Sequence, residues 1–147
     1  MRPGHVVRSI AMFSLLAWAT GCAVKNHAYG SDLPSAADPN GGGNATIYVA
    51  RPSIYGFAIK FPMEVNGEAV PPLRASKYVR VDVPPGPVEI KAKGEKMCTV
   101  TFDAAADHDY YFVGKVRTGW LIARVQLDAV EPAIGQDATS RCTVSAE

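Results

Sequence analysis

The sequence lacks an excess of charge of either sign. Its 147 residues contain 15 lysines and arginines against 14 aspartates and glutamates, which gives a formal net charge of +1. Binding of nucleic acid through its phosphates requires a basic surface, so this balance offers no electrostatic case for it. We therefore expect no nucleic-acid partner.

Motifs of the common enzyme classes are absent as well. No G-x-S-x-G, H-E-x-x-H or phosphate-binding glycine loop occurs in the chain. Only three histidines are present, and a zinc site would have to be completed by carboxylates. The sequence therefore predicts a protein that is not an enzyme and needs no cofactor.

Long hydrophobic runs are also missing. The apolar segment SIAMFSLLAWA at residues 9–19 is much shorter than the roughly 20 residues that a membrane-spanning helix needs. It follows the basic stretch MRPGHVVR and precedes small residues, an arrangement typical of a cleaved signal peptide. We expect residues 1–21 to be that signal peptide.

Cys22 indicates which kind of signal peptide this is. The sequence ATGC at residues 19–22 resembles the lipobox of bacterial lipoprotein signal peptides, with Ala19 where leucine is usual. The resemblance implies cleavage before Cys22, lipidation of its thiol and anchoring in the cell envelope. Ala23 in place of aspartate implies the outer membrane, facing the periplasm. The alternative is an ordinary secretory signal peptide.

The remaining chain divides at residue 44. Residues 22–44 are rich in Ala, Ser, Asp, Pro, Gly and Asn and show no regular period, which is typical of a flexible linker. Residues 45–147 have the length of a single domain. Their segments ATIYVARP, IKFPMEV, KYVRVDV, VEIKAK and CTVTF alternate apolar and polar residues, as half-buried strands do.

Turn signals separate these segments. Asn66-Gly67 predicts a tight hairpin, and PPGP at residues 84–87 predicts a second turn. The most hydrophobic segments, YYFVGKVR and WLIARVQLDAV, flank the dipeptide TG and are expected to lie centrally in a sheet. The polar segment EPAIGQDATSR is expected to hold a helical turn. About seven strands without a long amphipathic helix predict an all-β fold, an antiparallel β-sandwich.

Several of these segments together carry a family resemblance. ATIYVARP, the VNG hairpin, YVRVDVPPGPVEIKAK and YYFVGKV resemble a family of uncharacterised bacterial lipoprotein domains, related in layout to the PEGA-type β-sandwich. The resemblance covers about residues 45–131. It implies a sandwich fold and a location in the cell envelope, and it supplies no catalytic residues.

Two cysteines remain after Cys22. In their predicted strands, Cys98 and Cys142 lie on the same face as the apolar residues. Because the periplasm is oxidising, we expect a disulfide between them. It would close a loop of about 44 residues and stabilise the fold by roughly 3–4 kcal/mol. The alternative is two buried thiols.

Two groups of residues are candidates for function. His108 lies among Asp103, Asp107 and Asp109, which is compatible with a metal site or with a hydrophilic turn. The segment RPSIYGFAIKF at residues 51–61 carries Tyr55 and Phe57, and Trp120 lies beside the TG turn. Exposed aromatic rings on a loop suit recognition of a partner. The alternative is that the rings cover the end of the core.

These observations predict a binding or scaffolding module without catalytic activity, held to the membrane by a lipid on Cys22. Tyr55, Phe57 and Trp120 would contact an envelope protein or cell-wall glycan. The rival hypothesis is an envelope hydrolase or metal-dependent enzyme centred on His108 and its aspartates. A carrier of small ligands would require an enclosed apolar cavity, for which a domain of this size has little room.

Overall fold

A computed structural model describes residues 43–145. The predicted signal peptide, Cys22 and the linker up to residue 42 lie outside the described residues. The described part is all-β with one short helix, which confirms the predicted fold class. Its elements are β1 (Ala45–Arg51), β2 (Phe61–Val65), β3 (Glu68–Leu73), β4 (Lys77–Val83), β5 (Gly86–Lys93), β6 (Met97–Ala104), β7 (Asp109–Arg117), β8 (Arg124–Val130), α1 (Pro132–Ser140) and β9 (Thr143–Val144).

The strands form the two sheets of a sandwich. The larger sheet has the order β8-β7-β1-β4-β9 and the smaller sheet the order β3-β2-β5-β6. All pairs of the smaller sheet are antiparallel. The larger sheet is mixed, because β1 runs parallel to β7 and β4 runs parallel to β9, so the prediction of a purely antiparallel sandwich was wrong for this sheet. Parallel neighbours need a long connection. Here the chain forms β2 to β6 between β1 and β7, and β5 to α1 between β4 and β9.

Alternating side chains fill the space between the sheets, as the sequence pattern predicts. Apolar residues of the two facing surfaces form one continuous core, so one face of most strands is removed from water. The core members with the least exposed surface are Ala45, Ile47, Val49, Phe61, Leu73, Val79, Ile90, Ala92, Ala104 and Leu127.

Both predicted turns are present. Asn66 and Gly67 have φ angles of 50° and 81° and join β2 to β3, which is the conformation that a type I′ hairpin requires. The PPGP segment ends β4, and Gly86 takes a φ angle of 126° where β5 begins. Residues with a Cβ rarely adopt such an angle, so glycine is needed at position 86.

One strand was not expected from the pattern, whereas the closing strand predicted from CTVSA at residues 142–146 corresponds to β9. β3 carries Pro71 and Pro72, which cannot donate to a sheet ladder, and it is accommodated because it lies at an edge of the smaller sheet. β9 contains two residues and pairs with the edge of β4. The described part of the chain thus has nine strands, against the predicted number of about seven.

The prediction for WLIARVQLDAV was wrong in two respects. Trp120, Leu121 and Ile122 lie in the connection between β7 and β8, and β8 begins only at Arg124. In addition, β8 is an edge strand and β7 is its single neighbour. The apolar triplet leaves the ladder because another part of the chain binds its backbone amides, as described below.

The predicted helical turn is the helix α1, which covers the outer face of the larger sheet. It packs on β1 and β7, and Gly135 lies against the ring of Tyr111 so closely that a Cβ atom at position 135 would overlap it. Tyr111 stacks in turn on Tyr48, with ring centroids 4.9 Å apart. Within residues 43–145, no helix is long and apolar enough to span a bilayer.

The structure shows no disulfide between Cys98 and Cys142, in contrast to the prediction. Cys98 lies in β6, which packs across from β8, whereas Cys142 immediately precedes β9. β8 and β9 are opposite edges of the five-stranded sheet. Four strand spacings amount to about 19 Å, well beyond the separation of about 7 Å that a disulfide tolerates between Cα atoms. The alternation of apolar and polar residues shows on which face of a sheet a cysteine lies. It does not show near which edge of the sheet its strand lies.

Candidate functional site: two loops at one end of the sandwich

Two loops leave the larger sheet at the same end. β1 and β7 are parallel neighbours that finish at Arg51 and Arg117. Residues 52–60, which follow β1, are called here the Arg51 loop, and residues 118–123, which follow β7, are called the Glu95 loop. The end of the sandwich that carries both is called the loop end. The chain enters β1 at the other end.

Arg51 fixes the first loop from inside the protein. It is the largest fully buried side chain of the described residues, with no exposed surface. Its guanidinium donates hydrogen bonds from Nη1 to the carbonyl oxygen of Ile59 at 2.8 Å, and from Nη2 to those of Tyr55 at 2.7 Å and Gly56 at 2.8 Å. The planar guanidinium fork suits several converging acceptors. One side chain therefore holds three backbone carbonyls of the loop.

The charge of Arg51 is held without an acidic partner. None of the ion pairs formed within residues 43–145 includes Arg51, and its Nε has no hydrogen-bond acceptor. The guanidinium carbon lies 5.3 Å from the centroid of the Phe61 ring, a cation–π distance. Burial lowers the pKa of Arg51, yet a guanidinium stays charged at any physiological pH. Backbone carbonyl dipoles and an aromatic face take the place of a carboxylate.

Glu95 fixes the second loop from the turn between β5 and β6. Its Oε2 accepts hydrogen bonds from the backbone N–H groups of Leu121 at 3.1 Å and Ile122 at 3.2 Å. Its Oε1 accepts a charged hydrogen bond from Nη2 of Arg124 at 2.9 Å. The Glu95 backbone also donates to the carbonyl of Ala123 at 3.1 Å. These contacts take up the amides that would otherwise extend β8 toward Trp120.

The electrostatics of the second loop depend on the ionised form of Glu95. Hydrogen bonding from Arg124, supported by the backbone amides of Leu121, Ile122 and Trp120, lowers the pKa of Glu95 from 4.5 to about 2. The loop closes tightly at Gly119, where a Cβ atom would overlap the carbonyl oxygen of Ile122 and the carboxylate of Glu95. Glycine is therefore required at position 119.

Both loops expose large apolar side chains. Phe57 is 82% exposed, Tyr55 64% and Trp120 88%, and Ile54, Leu121 and Ile122 are exposed as well. An open cleft of about 480 Å³ lies between the loops, with Tyr55 and Ile59 contributing from one loop and Leu121 and Ile122 from the other. These six exposed residues, 54, 55, 57 and 120–122, are called here the apolar surface.

The three aromatic residues singled out from the sequence thus lie at one end of the molecule. The structure brings Tyr55 of the first loop and the loop that carries Trp120 to opposite sides of one cleft. The alternative, that the rings cover the end of the core, is wrong for Tyr55, Phe57 and Trp120, because most of each side chain faces solvent. It is correct for Phe61, which is buried in β2.

His108 lies in the turn between β6 and β7, away from these loops. Its Nδ1 is 2.8 Å from the carbonyl oxygen of Ala106 and therefore carries the proton. In the part of the chain that the structure describes, no three His, Cys, Asp or Glu side chains come together as metal ligands. Asp103, Asp107 and Asp109 are exposed around the turn, as the hydrophilic-turn interpretation expects.

Sequence reasoning missed the two residues that organise the loops. In the sequence, Arg51 is only the residue where the strand segment ATIYVARP meets the segment 51–61, and Glu95 falls in a polar hairpin turn. The available signal was the position of Arg51 within its strand. Ile47, Val49 and Arg51 share one face of β1, the face that points into the core. No local pattern links Glu95 to Leu121 and Ile122.

Comparison with known proteins gave no relative. No protein-family model, no curated protein and no solved structure matched the chain.

Proposed function

We propose that this protein is a binding module of the bacterial cell envelope, tethered through Cys22, and that it contacts its partner with the apolar surface. The observation that carries the proposal is the position of Phe57 and Trp120, two largely exposed rings on loops held by internal charged residues. An exposed apolar patch rimmed by polar residues is typical of an interaction site.

Both loops are held in place by internal contacts, and this supports a role of the apolar surface in binding a partner. Ordering a mobile loop at an interface costs free energy, and a loop already held in place avoids that cost. Arg51 is buried at the base of one loop and Glu95 bonds to the backbone of the other. Two charged side chains therefore hold the loops that expose these apolar groups to solvent.

Tethering rests on the sequence. The basic start, the short apolar segment and the ATGC sequence resemble a lipoprotein signal peptide, and acyl chains on Cys22 would hold the protein at the membrane. The location that best agrees with Ala23 is the outer membrane, on its periplasmic side. The domain would then act close to the membrane surface.

Chemical crosslinking of the full-length protein in intact envelopes tests the proposal. The adducts of the native protein are identified by mass spectrometry and compared with those of the double variant Phe57→Ser, Trp120→Ser. The matched control is Ile134→Ser, which removes an exposed apolar residue of α1 outside the loop end. We expect adducts that are lost in the double variant and retained in the control. Adducts that persist unchanged in the double variant contradict the proposal.

A further inference from the structure

Charged residues are segregated between the two ends of the sandwich. Connections and strand termini at the loop end carry the exposed basic residues Lys60, Arg74, Lys93, Lys96 and Arg117. The opposite end, where the chain enters β1, carries the exposed acidic residues Glu64, Glu68, Asp82, Asp103, Asp107, Asp109 and Glu131. Although its net charge is near zero, the domain therefore has one basic end and one acidic end.

The basic residues of the loop end are available to a partner. None of the five takes part in an ion pair of the described chain. Glu95 is the acidic residue placed among the loops, and its carboxylate is already occupied by Arg124 and by two backbone amides. The loop end thus presents uncompensated positive charge around the apolar surface.

The apolar surface has the composition of a membrane-interface anchor. Tryptophan and tyrosine are enriched where a protein meets the boundary between lipid headgroups and acyl chains, and Trp120 and Tyr55 are exposed here beside Phe57 and Leu121. Basic residues near such a surface are attracted to anionic lipid headgroups. A rim of lysines and arginines around exposed aromatic rings combines both interactions.

We propose that the loop end docks on the surface of an anionic phospholipid bilayer, with the apolar surface at the level of the headgroups and the five basic residues around it. This inference rests on the proposed function and names its partner. Charge complementarity favours a bilayer over a second copy of this chain through the same end, because two basic ends repel each other.

The position of the tether is compatible with this orientation. The chain enters β1 at Ala45, at the acidic end, and β1 is seven residues long, so the loop end lies about 20 Å away along the strand. The 22 residues between Cys22 and Ala45 can reach at most roughly 80 Å when extended. A chain of this length allows the lipid on Cys22 and the loop end to contact the same membrane.

Fluorescence of Trp120 in vesicles tests the inference. The chain has two tryptophans, and cleavage before Cys22 would remove Trp18. Trp18→Phe in the full-length sequence leaves Trp120 as the single reporter whether or not that cleavage takes place. The protein is reconstituted into vesicles of brominated phosphatidylcholine, with and without roughly one-third phosphatidylglycerol, a composition chosen for its negative surface potential. The amplitudes of the quenched and unquenched Trp120 lifetimes then give the ratio of docked to undocked domain. This ratio can be read regardless of how the N-terminus is attached to the vesicle.

We expect quenching in the anionic vesicles, weaker quenching in the neutral ones, and loss of quenching at about 0.5 M salt, where surface charges are screened. Lys96→Glu changes the charge by two units and should lower the docked-to-undocked ratio about 25-fold, since each unit of charge contributes about five-fold. The matched control is Arg80→Glu, which makes the same change of net charge in the middle of β4 and should leave the ratio nearly unchanged.

The inference is overturned if Trp120 is not quenched in anionic vesicles at low salt, or if neutral and anionic vesicles quench it equally. If Trp120 is not quenched but the loop-end residues crosslink to a protein in envelopes, the bilayer is the wrong partner and the binding-module proposal stands. If there is neither quenching nor a loop-dependent adduct, both proposals fail.

Discussion

Arg51 and Gly56 are joined by a hydrogen bond of 2.8 Å from the guanidinium Nη2 to the glycine carbonyl. Gly56 has a φ angle of 66°, and a Cβ atom at this position would stand 3.4 Å from the same nitrogen. The glycine allows the backbone to turn its carbonyl inward toward the buried charge. This relationship links the core of the sandwich to the loop that exposes Tyr55 and Phe57.

Removal of the Arg51 guanidinium will destabilise the protein. Arg51→Met keeps an apolar stem beside Phe61 but leaves three loop carbonyls without their charged donor, and we expect a loss of about 2–4 kcal/mol in the free energy of unfolding. Urea denaturation measures this loss. The control Arg80→Met removes an arginine whose side chain is 54% exposed, and such a surface ion pair contributes about 1 kcal/mol or less. Equal losses in the two variants would contradict the role of Arg51.

The Glu95 loop will respond to acid. Because the folded-state pKa of Glu95 lies at about 2 rather than 4.5, its stabilising contribution is fully present above pH 4.5 and is lost as the pH falls toward 2. Hydrogen-exchange protection factors of the Leu121 and Ile122 amides report the loop directly. We expect them to fall over this pH range.

Glu95→Gln tests whether Glu95 is the residue responsible. The variant should lower the protection of both amides at neutral pH and abolish the acid-dependent loss. Glu64→Gln, a change at an exposed position of β2, is the control and should leave the protection unchanged. A loop in Glu95→Gln that still loosens between pH 4.5 and 2 would show that another group titrates.

Gly135→Ala will weaken the packing of α1. An alanine Cβ would overlap the Tyr111 ring, and overpacking of this kind costs about 1–3 kcal/mol. Helix propensity alone predicts the opposite sign, a gain of about 1 kcal/mol for alanine over glycine. Urea denaturation separates these expectations. Gln136→Ala, at an exposed position of the same helix, should change the free energy of unfolding by less than about 0.5 kcal/mol.

Reduction will leave the stability of the protein unchanged. The sandwich places Cys98 and Cys142 near opposite edges, so thermal unfolding with and without dithiothreitol should give the same midpoint. Cys142→Ser, at a half-buried position, should cost about 1 kcal/mol or less. A loss of roughly 3–4 kcal/mol on reduction, the amount expected from a disulfide, would show that the cysteines are bonded.

The strands of this protein could be read from the sequence because each one is buried on a single face. Ile47 and Val49 in β1 point into the core at every second position, as do Val79, Val81 and Val83 in β4. Period-2 alternation is the direct consequence. The hairpin at Asn66-Gly67 could be predicted for a similar reason, since its φ angles are a local requirement. Local chemistry decides these features.

The loop end could be predicted only in part, because distant contacts build it. Tyr55, Phe57 and Trp120 were visible as unusual aromatic residues near turns. The apolar triplet 120–122 looked like the start of a strand, and it became a loop through hydrogen bonds to Glu95, which is 26 residues away from Leu121. The burial of Arg51 depends on carbonyls contributed after the chain turns back over the strand. Periodicity carries no information about such contacts.

A photoreactive amino acid placed at different ends of the sandwich gives the decisive measurement. It is introduced in the full-length protein at Phe57 or Trp120 in the apolar surface, or at Glu68 or Glu131 at the acidic end, and irradiated in intact cells. If the loop end is the contact surface, positions 57 and 120 will yield adducts to protein or lipid and positions 68 and 131 will not. Adducts confined to the acidic end, or equal yields at all four positions, would contradict the assignment of the apolar surface as the binding site.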